Sequence, residues 1–281
     1  MNTLNISIWK LFSKHGGLLV KKITIFIATI VVSISLLNIK VKAQNVVNLS
    51  EQNTMSVLWI QKSGEAKALY YQGYNTGRMR LDEALAKKPK NPAVVLDIDE
   101  TIVDNSPLFA ANLDPMNSFS WEEWIMMKKA KPLPGAVDFL KYANKKGVDI
   151  YYISNRKEAM KKATIKNLKQ IGAPQVDEKH VLLMQPNEKG KEIRRQSVAA
   201  THQIVLFFGD NLNDFSGFEK LSVSGRMDAV DRRKTEFGKK LIVFPNPMYG
   251  DWEEAIYHYD VKKTEADKAK LRKESLERFN P

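Results

Sequence analysis

The chain has 281 residues, 43% of them hydrophobic, which suits one α/β domain with a sizeable core and a smaller appended part. It contains no cysteine, so disulfides, thiolate metal sites and cysteine nucleophiles are excluded. The net charge of +12 falls to +6 without residues 1–43, which hold six lysines and no acid, and this mild excess argues against a nucleic-acid polymer as a partner.

The first 43 residues have the layout of a secretory signal peptide. A lysine-rich, acid-free start is followed by an apolar run from Ile23 to Leu37 and by Val41-Lys42-Ala43, which predicts cleavage after Ala43. The run is shorter than the ~20 residues that span a bilayer, so no stable membrane insertion is expected after cleavage. An exported protein is predicted, whether periplasmic, on the outer surface or secreted; the long basic leader leaves an uncleaved membrane anchor as the alternative.

Two helical stretches are predicted to build a smaller side domain. Residues 44–92 would be its N-terminal segment, with one helix over Thr54–Ala86, where Ala, Leu, Met and Tyr recur without proline. Residues 105–131 would be a helical insert. Within that insert, Ser120 and Glu123 have the spacing of a capping box, which predicts a helix that begins at Ser120.

Strands and helices alternate through residues 93–260, the predicted core. The predicted strands are Ala93–Ile98, Val148–Ile153, Val181–Met184, Gln203–Phe208 and Leu241–Phe244, and the predicted helices between them are Pro134–Lys146, Lys157–Gln170 and Lys189–Ala200. This order predicts a parallel sheet with helices on both faces, as in Rossmann-like folds. Residues 261–281 are predicted to form a C-terminal helical tail.

Acidic side chains follow two of the predicted strands. Asp97 and Asp99 end the first, and Asp210 and Asp214 follow Gly209 after the fourth. Ligands of such sheets sit at the carboxyl ends of the strands, and crowded carboxylates there favour a hard cation such as Mg²⁺. An EF-hand is excluded because the required glycine is missing and a strand precedes the acids, and a phosphate-binding P-loop is absent from the sequence.

Several segments resemble the class C bacterial acid phosphatases, or outer-membrane lipoprotein-type 5′-nucleotidases, of the haloacid-dehalogenase (HAD) superfamily. The resemblance covers most of the chain from about Ser56 onward. It rests on Asp97-Ile98-Asp99-Glu100-Thr101, Asp104-Asn105-Ser106-Pro107, Ile153-Ser154-Asn155-Arg156, Gly209-Asp210-Asn211-Leu212-Asn213-Asp214-Phe215 and Pro245–Glu253. It implies a HAD-like sheet with a smaller α-helical side domain, and the acid phosphatase activity of the family.

The resemblance also implies a role for each site residue. Asp97 would be the nucleophile that forms an aspartyl phosphate, and Asp99 the general acid and base. Ser154 and the backbone of Asn155 would hold phosphate oxygens. Lys191 would neutralise charge on the transferring phosphoryl group, although Lys189 is a competing lysine. The metal would be bound by the Asp97 carboxylate, the Asp99 backbone carbonyl and Asp210, with Asp214 at the metal site either close by or acting through water.

Aromatic residues are the candidates for contact with a nucleoside. The resemblance places Trp121 and Tyr249 at positions where related 5′-nucleotidases clamp a base. The alternative is that Trp121 and Trp124, which are spaced for one helix face, lie in the core, where tryptophans on such a face are more often found. Leu108 stands where the family has tyrosine, which predicts a looser aromatic wall.

The sequence therefore predicts an exported, Mg²⁺-dependent acid phosphatase that hydrolyses small phosphomonoesters, with 5′-nucleotides as the expected substrates. Two alternatives stay open. One is a ligand-binding surface protein of haem-binding type on the same fold. Against it, the four histidines are scattered along the sequence and cysteine is absent, so no haem ligand is evident. The other is a phosphotransferase, which would use the same aspartyl phosphate. The oligomeric state is left open.

Overall fold

The computed structural model describes residues 48–280, so the predicted signal peptide and its cleavage site lie outside the described residues. A five-stranded parallel sheet forms the centre, with the order β5-β4-β1-β6-β7. Its strands are β1 (Pro92–Leu96), β4 (Asp149–Lys157), β5 (Val181–Met184), β6 (Gln203–Gly209) and β7 (Leu241–Val243). Two short strands, β2 (Val103–Asp104) and β3 (Lys131–Pro132), pair antiparallel. The α/β prediction with a parallel sheet is confirmed.

Helices alternate with the strands along the chain. They are α1 (Thr54–Lys62), α2 (Gly64–Leu85), α3 (Ser106–Ala111), α4 (Trp121–Met127), α5 (Ala136–Lys145), α6 (Lys161–Gln170), α7 (Glu192–Ala199), α8 (Val223–Arg233), α9 (Asp251–Ile256) and α10 (Glu265–Glu274). Short 3-10 turns cover Ser50–Asn53, Glu158–Met160 and Leu212–Asp214. Within residues 48–280, no helix is both long and apolar enough to cross a membrane.

The two faces of the sheet bury different side chains because successive residues of a strand point to opposite sides. Val94 and Leu96 of β1 join the large core cluster formed with α2 and α5, whereas Val95 faces a second cluster with Val198 of α7. Helices therefore cover both faces, as predicted. The antiparallel pair β2–β3 brings the two ends of the predicted insert 105–131 together.

Several predicted element boundaries are wrong. The helix expected from Lys157 begins at Lys161, after the end of β4 and the 3-10 turn Glu158–Met160. The single helix expected over Thr54–Ala86 is two helices, because Ser63 is extended and its side chain caps the N-terminus of α2 by accepting from Ala66 N at 3.0 Å. Strand β4 continues four residues beyond Ile153, to Lys157. The helix expected from Lys189 begins at Glu192, which leaves Lys191 at the helix N-cap.

The helix predicted from the capping box is confirmed. Ser120 is the N-cap of α4, its hydroxyl accepts from Glu123 N, and the Glu123 carboxylate accepts from Ser120 N at 2.7 Å. The division of the chain into a side domain, a core at 93–260 and a tail at 261–281 stays a prediction.

Candidate active site

Two acids meet at the carboxyl ends of the central strands. Leu96 of β1 is in register with Phe208 of β6, and Asp97 N donates to the Phe208 carbonyl at 2.9 Å. Asp97 and Asp210, each just beyond its strand, therefore lie side by side. One carboxylate oxygen from each, together with one from Asp214, lie within 4.8 Å of one another. Residues more than a hundred positions apart thus form one acidic cluster.

A tight turn presents Asp214 to this cluster. In the 3-10 turn after β6, Asn211 and Asp214 form a reciprocal cap in which Asn211 N donates to Asp214 Oδ2 at 2.9 Å. Gly209 is required here, because a Cβ at that position would overlap the Asp214 side chain. The sequence Gly209-Asp210-Asn211-Leu212-Asn213-Asp214 therefore fixes both acids by local geometry.

A buried lysine lies within the acidic cluster. Lys191 is 5% exposed, and its Nζ donates to Asp97 Oδ1 and, at 2.6 Å, to Asp214 Oδ1. Lys189, the competing candidate, is exposed. The position of Lys191 at the N-cap of α7 directs its side chain toward the ends of β1 and β6.

Asp99 points to a different set of partners. Its carboxylate accepts from Arg156 Nη2 at 2.6 Å, from Ser154 Oγ at 3.2 Å and from Asn105 Nδ2 at 2.9 Å. Arg156 is buried and was missed as a site residue from the sequence. The extension of β4 beyond Ile153 explains its position, since Ser154 and Arg156 are two apart on a strand and face the same side.

The Ser154–Asn155 segment is held by Arg194 of α7. Arg194 Nη1 donates to the Ser154 carbonyl at 2.5 Å, and Nη2 donates to Asn155 Oδ1 at 2.9 Å. Glu188 accepts from Arg194 Nε at 2.9 Å and orients the guanidinium. Ser154 is buried and Asn155 is exposed, so this segment forms the edge of the site.

An aromatic group lies beside the acids. Phe109 stacks on Tyr249 with 4.9 Å between ring centroids, and Trp121 meets Tyr249 edge-on at 5.9 Å. Leu108, which predicted a looser wall, is 5% exposed and points into the interior, while its neighbour Phe109 supplies the ring. The sequence did not indicate Phe109, because it lies one position after the tyrosine position of the resemblance.

The two tryptophans of α4 have different environments. Trp121 is half-buried and lines the cavity at the acidic cluster. Trp124 packs against the main core, and its indole Nε1 donates to Asn105 Oδ1 at 2.8 Å. Trp121 also packs against a small core cluster of Ile125, Met160 and Ala163, so both tryptophans contact the core and only Trp121 also lines the cavity.

The buried carboxylate of Glu100 holds Tyr249 in place through a hydrogen bond with its hydroxyl. Glu100 is 1% exposed and accepts from Asn105 N at 2.8 Å and from the Tyr249 hydroxyl. Burial, reinforced by the charge of Asp99, raises the pKa of Glu100 to about 8. The sequence offered only its place in the run Asp-Ile-Asp-Glu-Thr as an indication.

One cavity of about 340 Å³ unites the predicted site. All nine residues predicted to act in catalysis, substrate binding or metal binding line it: Asp97, Asp99, Trp121, Ser154, Asn155, Lys191, Asp210, Asp214 and Tyr249. The cavity therefore has a charged end at the strand termini and an aromatic side formed by Trp121 and Tyr249.

The acidic cluster fits a divalent cation. Burial raises the pKa of Asp97 and that of Asp210, and the charge of Asp214 adds to both effects, although Lys191 opposes the shift at Asp97. Mg²⁺ holds oxygens at about 2.0–2.1 Å, so its ligands lie up to about 4.2 Å apart, and the present oxygens need to move little. An ion there would stabilise the charged carboxylates that burial disfavours.

Comparison with known proteins identifies the family of this chain. Residues 23–252 match the family model of the HAD superfamily, subfamily IIIB, acid phosphatases. The class C acid phosphatase from Bacillus anthracis with tungstate bound is 56% identical, with a TM-score of 0.82 over 83% of this chain and 100% of that one. A second structure of the Bacillus anthracis class C acid phosphatase is 55% identical, with a TM-score of 0.81 over the same shares. The chain therefore belongs to the acid phosphatases of HAD subfamily IIIB, and it is a phosphomonoesterase.

Proposed function

We propose that this phosphatase is an exported, Mg²⁺-dependent enzyme that hydrolyses 5′-nucleotides through an aspartyl phosphate on Asp97. The supporting observation is a single cavity with the acidic cluster of Asp97, Asp210 and Asp214 at one end and the rings of Trp121 and Tyr249 at its side. The acidic cluster suits a cation together with the substrate phosphate, and the two aromatic rings suit the base of a nucleotide. Family membership favours this enzyme over the alternative of a haem-type binding protein.

Asp97, Asp210, Asp214 and the backbone carbonyl of Asp99 would hold the cation. Phosphatases of this superfamily generally use a divalent metal, and Mg²⁺ is proposed because carboxylate oxygens, a substrate phosphate and water are its preferred ligands. When bound, Mg²⁺ would neutralise part of the charge that the phosphate and the carboxylates bring together.

Asp97 and Asp99, at the end of β1, have different roles in the two steps of hydrolysis. An oxygen of Asp97 attacks phosphorus, the ester P–O bond breaks, and the leaving oxygen takes a proton from Asp99. In the second step Asp99 removes a proton from water, whose oxygen attacks phosphorus and releases Asp97 and inorganic phosphate. Arg156 holds the Asp99 carboxylate in place, and Lys191 offers a positive charge to the phosphoryl oxygens.

Phosphate binding has independent support from the relatives. One Bacillus anthracis structure carries tungstate, a tetrahedral oxyanion of the same shape as phosphate. In this chain, Ser154 Oγ and the exposed Asn155 lie at the rim of the cavity beside Asp99 and would bind the phosphoryl oxygens. The substrate would be a small phosphomonoester, since the cavity is about 340 Å³.

The catalytic assignment is tested with a matched pair of variants. Asp97→Asn is expected to abolish phosphate release and keep the thermal midpoint close to that of the parent, because Lys191 keeps its ion pair with Asp214. The exposed Asp228→Asn is expected to keep full activity. EDTA abolishes release in the parent, and Mg²⁺ restores it. Full activity of Asp97→Asn, or release that continues in EDTA, would contradict the mechanism.

The nucleotide assignment is tested separately. Base stacking contributes about 1–3 kcal/mol, so Trp121→Leu is expected to raise KM for 5′-AMP by about 5- to 150-fold and to leave KM for glycerol phosphate unchanged. Phe119→Leu, at an exposed ring in the same insert and outside the cavity lining, is the control. An equal effect of Trp121→Leu on both substrates would refute stacking on a base.

Transfer and hydrolysis share the covalent intermediate, and their ratio is measurable. Phosphate release and phosphoglycerol formation are compared at increasing glycerol concentration. A hydrolase gives mainly inorganic phosphate at low glycerol, whereas dominant transfer under those conditions identifies a phosphotransferase.

Export is proposed from the leader at residues 1–43 alone. Expression of the full chain in a bacterial host, followed by N-terminal sequencing of the exported material, is expected to give Gln44 as the first residue. An uncleaved N-terminus in the membrane fraction would support the anchored alternative.

A further inference from the structure

A second cavity, of about 480 Å³, lies beside the first and shares Asp210 and Asn211 with it. Its remaining walls come from Leu212 of the 3-10 turn and from α8, β7 and α9, and they are mainly apolar. The apolar side chains that carry the argument are Val223, Met227, Val230, Val243, Trp252 and Ile256. Four of these, Val223, Met227, Val243 and Trp252, are each more than 40% exposed. A cavity of this size and lining is typical of sites that bind small organic molecules.

Arg226 of α8 also lines this cavity and is 6% exposed. Its Nη2 donates weakly to Asn211 Oδ1 at 3.3 Å, and the guanidinium also faces the Tyr259 hydroxyl, where it opposes the rise that burial causes in the pKa of Tyr259. The buried Nη1 has no partner at hydrogen-bond distance in the described part of the chain. Among residues 48–280, Arg226 forms no ion pair within 4.0 Å. The guanidinium is therefore a buried cation with no carboxylate of residues 48–280 at ion-pair distance, which is unfavourable unless an anion completes the site.

The neighbouring acids do not fill this role. Burial raises the pKa of Asp251, and the nearby charge of Arg226 only opposes this shift; Asp251 lies beyond ion-pair distance of Arg226 and lines the other cavity. Asp210 accepts from Asn246 Nδ2 at 2.8 Å, and Asp231 is exposed. A negative group on an external molecule is the partner that Arg226 lacks.

We propose that this second cavity binds a small organic carboxylate with an apolar body, whose carboxylate pairs with Arg226 and whose apolar part contacts Val230, Val243, Trp252 and Ile256. Inorganic phosphate would gain the charge interaction and leave the apolar walls uncovered, and an uncharged apolar molecule would leave Arg226 unpaired. The combination selects a molecule that has both parts. This site is independent of the proposed nucleotide specificity.

Octanoate and octanol are the matched probes, because they differ at the polar end and share the apolar chain. In calorimetric titrations of the parent protein, we expect saturable binding of one octanoate per chain and at least 10-fold weaker binding of octanol. Arg226→Gln is expected to remove the preference for octanoate. Arg232→Gln, at an exposed arginine of the same helix, is expected to keep it.

Two further variants separate binding from folding. Arg226→Lys keeps a positive charge and is expected to keep at least part of the preference for octanoate over octanol. This result would show that the loss in Arg226→Gln comes from the missing charge and not from misfolding. Val243→Trp places a large ring at an exposed strand position in the cavity wall and is expected to weaken both probes at least 10-fold.

The proposal is overturned by equal affinities for octanoate and octanol, by an undiminished preference in Arg226→Gln, or by competition between octanoate and vanadate, which would place octanoate in the active site. It is also overturned if sedimentation shows a dimer that Val243→Trp dissociates while the parent binds no octanoate, because a second copy would then cover this face.

Discussion

Replacement of Lys191 by glutamine tests how the acidic cluster of Asp97, Asp210 and Asp214 is stabilised when no metal is bound. Lys191 is 5% exposed and pairs with two buried carboxylates, those of Asp97 and Asp214. In the variant these carboxylates face each other with no cation. The metal-free protein should therefore lose stability, and a divalent cation should restore much of it, because the metal takes over the role of the ammonium group.

The size of the loss follows from the burial of the pair. Removal of one partner of a buried ion pair typically costs about 3–5 kcal/mol. Because burial already raises the pKa of Asp97, this carboxyl can take up a proton in the variant, which places the loss near the lower end, about 3 kcal/mol. For a domain of this size each kcal/mol shifts the thermal midpoint by about 2–4 °C, so a decrease of about 6–12 °C is expected.

Thermal unfolding in EDTA at pH 7 measures this decrease, with Lys189→Gln as the matched control, since Lys189 lies two positions away and is exposed. Addition of Mg²⁺ should then raise the midpoint of Lys191→Gln more than that of the parent. The reasoning is refuted if Lys191→Gln and Lys189→Gln unfold within 2 °C of each other in EDTA, on the scale set by the shift per kcal/mol.

Three other outcomes are expected. Gly77→Ala should lower the free energy of unfolding by about 1–3 kcal/mol in urea titrations, because its Cβ would lie 2.6 Å from the buried ring of Phe208, whereas Gly64→Ala, with no atom within 4 Å, should be neutral or stabilising. Phe109→Ala should raise KM for 5′-AMP, because Tyr249 loses its stacking partner. An unchanged KM would show that Phe109 does not position Tyr249 for substrate binding. Glu192→Gln should lower the urea midpoint at pH 7, and its difference from the parent should shrink as the pH falls below 4.5. Burial alone would raise the pKa of Glu192, but hydrogen bonds from Ser216 and Arg195 lower it, so the carboxylate stabilises the protein above pH 4.5 and loses this effect on acidification. A difference in midpoint that stays constant with pH would disprove this role of Glu192.

The order of elements could be predicted because it depends on local patterns. Apolar runs of four to six residues, separated by helical periods, are enough to predict a parallel sheet, since such strands are buried on both faces. Capping chemistry is equally local, which is why the start of α4 at Ser120 was predicted and confirmed. The break at Ser63 was missed because an apolar pattern continues through it, and only the extended backbone of that residue separates α1 from α2.

The acidic residues of the site could be predicted because their local sequences are distinctive. Asp97 and Asp99 follow one strand, and Asp210 and Asp214 follow another. Their roles in the reaction stay predictions, while their common cavity is a property of the structure.

The remaining contacts depend on which elements become neighbours. Asp99 pairs with Arg156 because β4 lies next to β1 and continues beyond Ile153, and Phe109 meets Tyr249 across 140 positions of chain. Arg226 lines a second cavity because α8 packs near the turn at Asn211. Local sequence determines which segments are strands, helices and turns, but side-chain partners distant in the chain are decided only when the elements pack, because contact and burial depend on three-dimensional proximity.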